Sequence, residues 1–126
     1  MIEKQVATVP QHIWEDGRPA RLRVWEGEYN VASWVRITGA TGPLELAIVY
    51  TDEAGEHRAR VDSAVIRADG SALLSGMVKL RFTGQVGQVL VTLGLGDAKM
   101  RFVVEELYVQ RRGSVLNRAD KLISNY

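Results

Sequence analysis

The sequence contains no cysteine, little proline and no long apolar run. Without cysteine, disulfide scaffolds, thiol nucleophiles and cysteine-ligated metal sites are excluded. No stretch is long and apolar enough to form a bilayer-spanning helix, and no apolar segment of the kind found in secretory signals follows the residues Met1–Gln5. We therefore expect a cytoplasmic protein that does not bind membranes.

An excess of charge of one sign is also missing. Sixteen basic residues stand against fifteen acidic residues, and this balance does not favour a nucleic-acid partner. The two halves differ, because residues 1–63 carry seven basic and ten acidic side chains, whereas residues 64–126 carry nine and five. This asymmetry is either the ordinary mixture of a solvated surface or a pair of opposite patches that guides head-to-tail contact.

What the sequence does contain is alternation. Apolar residues make up 46% of the 126 residues, which is typical of one globular domain. They recur at every second position, as in Val78, Leu80 and Phe82, and this period indicates half-buried strands. Eight strands are predicted, near residues 3–9, 20–26, 32–38, 44–51, 57–67, 72–83, 86–95 and 100–111.

Turn residues separate these strands. Asp52–Gly55 is typical of a hairpin loop in which Gly55 takes a positive φ, and Asp69-Gly70 and Gly84–Gly87 mark further turns. The spacing predicts an all-β, antiparallel, jelly-roll-like sandwich, with an up-and-down barrel as the alternative. The predicted core comprises Leu46, Ile48, Val61, Leu80, Phe82, Val91, Leu93 and Leu107.

In the last predicted strand, the alternation of apolar and polar residues shifts by one position. Met100, Phe102 and Val104 share one parity and Leu107 and Val109 the other, so we expect a β-bulge at Glu105-Glu106, or else a strand whose first half is buried on both faces.

The residues after Gly113 no longer alternate between apolar and polar side chains. Ser114 can cap a short helix through Asn117, Ala119, Lys121 and Leu122, so we expect a sandwich domain over residues 1–113 and a helical tail over 114–126.

The C-terminal strands resemble the end of a jelly-roll carbohydrate-binding module. The segments that carry this resemblance are Val89–Leu93, an alternating strand, and Phe102–Val109, with its apolar, acidic, apolar pattern. That family usually has Asp where this chain has Glu105 or Glu106. The resemblance implies a β-sandwich that binds sugars through exposed aromatic rings, for which parity selects Trp25, Trp34 and Tyr50.

Three tryptophans and a tyrosine lie in the first third of the chain, and Trp25, Trp34 and Tyr29 among them are candidates for a binding site. Trp25 and Trp34 flank Gly27–Asn30, which is predicted to be a turn, so two neighbouring strands would place both rings on one face with Tyr29 at its rim. Trp34 then has charged neighbours such as Arg36, and it either stacks on a ligand or protein partner or packs under a loop or the C-terminal helix. The candidate binding residues are Trp25, Tyr29, Trp34, Arg36 and Tyr50.

Catalytic and metal-binding patterns are sparse. His12 and His57 lack the spacing of a metal or catalytic motif, and Asp52 and Glu53 offer at most a weak calcium site in a loop. We therefore expect no catalysis, no cofactor and no resident metal. The predicted function is non-catalytic binding of a protein partner or of a second copy of the chain, with glycan binding as the alternative and an enzyme of unknown type as the third possibility.

Overall fold

The structure is a computed structural model that describes residues 1–15, 23–112, 120–124 and 126. Within these residues the chain forms one short helix, seven strands of seven residues or more and one strand of two residues. In chain order they are β1 (Ile2–Thr8), α1 (Gln11–Trp14), β2 (Val24–Thr38), β3 (Leu44–Asp52), β4 (Gly55–Ala64), β5 (Ser71–Thr83), β6 (Val89–Leu95), β7 (Arg101–Arg111) and β8 (Asp120–Lys121).

The strands form two sheets. Sheet A has the order β1-β6-β3-β4 and sheet B the order β5-β2-β7-β8, and every pairing is antiparallel. Their apolar faces pack against each other, and the sheets stay separate rather than closing into a barrel. The predicted all-β sandwich is therefore confirmed, and the topology is compatible with a jelly-roll-like kind.

Alternation places the core where the sequence predicts it. Seven of the eight predicted core residues are buried, and Val61 is half-buried against them at the edge of sheet A. At one end of the sandwich, the buried ring of Phe82 contacts Trp25 at 5.2 Å, Tyr50 at 5.0 Å and Trp14 at 5.5 Å between centroids. Helix α1 contributes Trp14 to this cluster and so covers that end of the core.

Strand β2 is continuous, and the turn predicted at Gly27–Asn30 is wrong. These four residues pair with β5 without interruption, from Gly27 opposite Leu80 to Asn30 opposite Met77. Gly27 has another role here, because a Cβ at that position would lie 2.6 Å from the hydroxyl of Tyr29, whose ring lies over it. Glycine is needed for this close approach rather than for a change of chain direction.

The phase change in β7 is a bulge, as predicted. Trp34 of β2 pairs with Glu106 while the next residue, Val35, pairs with Val104, so Glu105 is the extra residue. Side-chain parity switches at this point, with Phe102 and Val104 half-buried before it and Leu107 and Val109 buried after it. The bulge therefore also determines which later residues of β7 point to solvent.

The predicted C-terminal helix is only partly within the described residues. Ser114 to Ala119 lie outside them, and the end of the predicted helix is wrong, because Asp120 and Lys121 pair with β7 as β8. The Leu122 N–H donates to the carbonyl of Leu107, and the Leu122 side chain is buried. Pairing along the open edge of β7 gives hydrogen-bond partners to backbone N–H and C=O groups that an isolated helical turn would leave to water.

Candidate binding face on sheet B

Three of the predicted binding residues are core residues. Trp25, Tyr29 and Tyr50 are 6%, 2% and 5% exposed. The Tyr29 hydroxyl donates to the carbonyl of Trp14 at 2.5 Å, and the Tyr50 hydroxyl donates to the carbonyl of Arg81 at 2.8 Å. Trp25 and Trp34 do not share a face, because they lie nine residues apart on one continuous strand and therefore point to opposite sides.

Trp34 and Arg36 lie on the outer face of sheet B. The ring of Trp34 is half-buried, and the guanidinium carbon of Arg67 lies 5.2 Å from its centroid in a cation–π contact. Arg36 donates to the carboxylate of Glu105 at 2.9 Å and to the carbonyl of Asp69 at 3.3 Å. These contacts order the end of the face that carries Trp34.

Next to Trp34, the outer face of sheet B has a shallow groove of about 600 Å³. Strand pairing arranges its outward side chains in two rows across β5, β2 and β7. One row is Ser75, Ala32 and Tyr108, and the other is Met77, Asn30 and Gln110. Met77 is 50% exposed, and the small side chain of Ala32 forms the floor. We call these six residues the groove.

The groove is uncharged, whereas its two ends carry charge. The row beyond one end is Leu73, Trp34 and Glu106. Beyond the other end, Lys79 lies opposite Glu28, and Arg112 reaches over the sheet to within 3.6 Å of the Glu28 carboxylate. Lys79 also pairs with Glu26 at 3.1 Å.

Most of this groove lies outside the residues that the sequence predicted for a binding site. Tyr108 follows the bulge, and the same parity switch that turns Leu107 and Val109 inward turns Tyr108 outward, so this signal was present in the sequence. Met77 and Gln110 gave no such signal, because alternation predicts that they face solvent but not that they border one depression.

The outer face of sheet A differs because an ion-pair network covers it. Arg58 pairs with Glu45 and, at 3.1 Å, with Glu3, which also accepts a hydrogen bond from the Thr92 hydroxyl at 2.7 Å. The Thr92 hydroxyl and, after it, Arg58 hold the pKa of Glu3 below its usual value. The pKa of Arg58 is raised by its bond to Glu45 and by Glu3. Beneath this network, Ala47 and Thr92 are buried although they point outward.

Asp52 and Glu53, the weak calcium candidates, connect the two sheets. The Asp52 side chain is 0% exposed. Its Oδ1 accepts a hydrogen bond from the Ala54 N–H at 2.8 Å and lies 2.9 Å from His57 Nε2, and its Oδ2 accepts from the Thr83 N–H at 2.9 Å. Burial alone raises the pKa of Asp52, but the bonds from His57, Thr83 and Ala54 outweigh it and keep that pKa below 3.8.

Glu53 continues this link to sheet B. Its carboxylate accepts from the N–H of Gln85 at 2.6 Å and from Arg23 at 3.0 Å, and these groups hold its pKa below the usual value. We call Asp52 and Glu53, with Thr83 at the end of β5 and with Gln85 and Arg23 just outside the strands of sheet B, the latch. Because both carboxylates are bound by protein donors, the latch is a structural feature of this hairpin.

The described residues give no support for a metal site or a membrane-spanning segment. Among them, no three His, Asp or Glu side chains converge in a way that would hold a metal ion. No helix in the described part of the chain has the length and apolar character needed to cross a membrane.

Comparison with protein-family models, with curated proteins and with solved structures finds no significant match for this chain. Function is therefore inferred from the side chains of the outer face of sheet B.

Proposed function

We propose that the chain is a non-catalytic protein-assembly module that binds its partner through the outer face of sheet B. The observation that carries this proposal is the contrast between the two outer faces. Sheet A is covered by the Arg58 network, whereas sheet B leaves Met77 half-exposed beside Tyr108, Trp34 and an uncharged groove.

The composition of this face supports a protein partner. Tyrosine, tryptophan, methionine and arginine are the residues enriched in protein interfaces, and their contribution is greatest where a charged rim surrounds an uncharged centre. Here the rim is Glu106 at one end and Arg112 and Lys79 at the other. Methionine also adapts its shape to a partner at low cost.

The test uses Ala32→Arg, which fills the floor of the groove with a long charged side chain. The matched control is Ala98→Arg, which makes the same change at an exposed turn outside the sheets. Immobilised wild type, Ala32→Arg and Ala98→Arg are exposed to an extract of the source cells, and the retained proteins are identified. We expect a protein that wild type and Ala98→Arg retain and that Ala32→Arg loses. Equal retention by all three would contradict the proposal.

Glycan binding is the second candidate, and one observation favours it. Tyr108 borders the groove beside the amide side chains of Asn30 and Gln110, and an aromatic ring next to neutral hydrogen-bonding groups suits an uncharged sugar. The resemblance to jelly-roll carbohydrate-binding modules points the same way. A glycan array with wild type and Tyr108→Ala tests it: specific binding by wild type that Tyr108→Ala loses would favour glycans over a protein partner.

A further inference from the structure

Resting on the proposed function, we infer that the partner on this face is a second copy of the chain, packed so that the Arg112 end of each sheet B meets the Glu106 end of the other. Three features of the groove favour such a dimer: its symmetry, the charges at its ends and its size.

The side chains of the groove are complementary in size to those of the same groove on a second copy. A two-fold axis that runs across the strands, between the two rows, exchanges the rows while keeping each strand opposite itself. Met77 then faces the partner's Ser75, and Asn30 faces the partner's Ala32, so each larger side chain meets a smaller one. On β7, Tyr108 faces the partner's Gln110. Alternation of large and small side chains is what lets two surfaces interdigitate.

The same axis pairs opposite charges. It brings Arg112 against the partner's Glu106, and by symmetry this contact occurs twice. The Arg112 side chain is 62% exposed, its ion pair with Glu28 is loose at 3.6 Å, and its Nη1 donates only a weak hydrogen bond to the sulfur of Met77 at 3.5 Å. Glu106 forms no ion pair with another described residue. Both side chains are therefore available for a contact between copies.

A second face-to-face arrangement is disfavoured by like charges. If the two-fold axis ran along the strands, β7 would lie on the partner's β5, and Arg112 would face the partner's Lys79. Glu28 would then face its own copy in the partner. Like charges in apposition cost affinity and exclude an arrangement that shape alone would allow.

The dimensions predict a weak dimer. From Leu73 to Lys79 the face is about 20 Å long at roughly 3.3 Å per residue, and four strands with their side chains span about 20 Å. A footprint of about 400 Å² is half of the roughly 800 Å² per partner of a standard interface. We therefore expect a dissociation constant in the range of about 10 μM to 1 mM, weaker at high salt.

Sedimentation equilibrium over that concentration range tests the arrangement by charge exchange. Glu106→Lys and Arg112→Glu each place like charges against the partner, and each should weaken the dimer about tenfold or more, whereas the double variant exchanges the charges and should restore it to within about threefold of wild type. Thermal unfolding of each variant checks that the fold is unchanged, which matters most at Glu106 because it is half-buried, whereas Arg112 is exposed.

The outcomes separate this inference from the proposed function. A wild type that is monomeric up to about 1 mM overturns the inference, while the proposed function is still judged by the Ala32→Arg and Ala98→Arg comparison with cell extract. A dimer that Ala32→Arg abolishes but the charge variants leave unchanged overturns this arrangement, although the copies would still meet through the outer face of sheet B. A dimer that none of these variants changes forms through another surface and also overturns the inference.

Discussion

Replacing Asp52 with alanine should destabilise the fold far more than its position in a hairpin loop suggests. The substitution removes the acceptor of the hydrogen bond that the Thr83 N–H on sheet B donates across to sheet A. It also removes the partner of two groups on the same hairpin, the Ala54 N–H and His57 Nε2. A half-buried donor left without an acceptor costs about 1–3 kcal/mol, and the more exposed groups add less, so we expect a loss of about 2–4 kcal/mol.

This loss is large enough to measure by thermal unfolding. An unfolding entropy of about 2.1 cal/mol/K per residue is about 0.26 kcal/mol/K for a chain of this length, so Tm should fall by about 8–15 °C. Urea unfolding of the same proteins gives the free energy directly. Asp97→Ala is the matched control, because Asp97 accepts from the Lys99 N–H at 2.7 Å in an exposed turn.

The pH dependence has a defined sign. The pKa of Asp52 is lowered in the folded state, so its contribution is fully present above the ordinary value of 3.8 and is lost as the pH falls through the folded pKa. The gap in stability between wild type and Asp52→Ala should therefore narrow below about pH 4. If Asp52→Ala and Asp97→Ala differ by less than about 0.5 kcal/mol at pH 7, the latch does not join the sheets as described.

Three further predictions concern the two faces of sheet B and its edge. Trp25→Ala should lower the free energy of unfolding by about 3–5 kcal/mol and Trp34→Ala by about 1 kcal/mol, because only Trp25 lies in the core. Urea unfolding that ranks the two variants the other way would show that the side chains of β2 point to the opposite faces. Gly27→Ala should destabilise by about 1–3 kcal/mol through a clash with the Tyr29 ring; a neutral result would show that the ring has room to move. Leu122 is 7% exposed and Ile123 92%, so Leu122→Ala should lower Tm while Ile123→Ala leaves it unchanged; equal effects would show that Leu122 is not docked on β7.

The sequence was a good guide to the strands and to the core. Alternation is a local property, so it predicts that Leu80 and Phe82 point inward whatever the partners of β5 are. The bulge at Glu105 was predictable for the same reason, since an extra residue leaves a visible change of parity.

The error at Gly27–Asn30 arose because a glycine followed by polar residues is also typical of a turn. The contact that requires Gly27, with the ring of Tyr29, is visible only once Tyr29 is placed in the core. That error also put Trp25 and Trp34 on one face with Tyr29 at its rim, whereas Trp25 and Tyr29 lie in the core.

The groove was not predictable because it depends on strand order. Ala32, Met77 and Tyr108 come from three strands, and only the order β5-β2-β7 makes them neighbours. The C-terminal pairing has the same origin, since Leu122 and Leu107 meet only because the edge of β7 is open to receive the chain.

Oxidative footprinting of the methionines at increasing protein concentration tests the central claim most directly, which is that two copies of the chain meet through the outer face of sheet B. Met77 lies in the groove at 50% exposure, and Met1, at 66%, lies on sheet A and is an internal reference. Because oxidation of methionine follows its exposure, we predict that Met77 becomes protected as concentration rises while Met1 does not. Oxidation of Met77 that stays constant relative to Met1 throughout would contradict the claim.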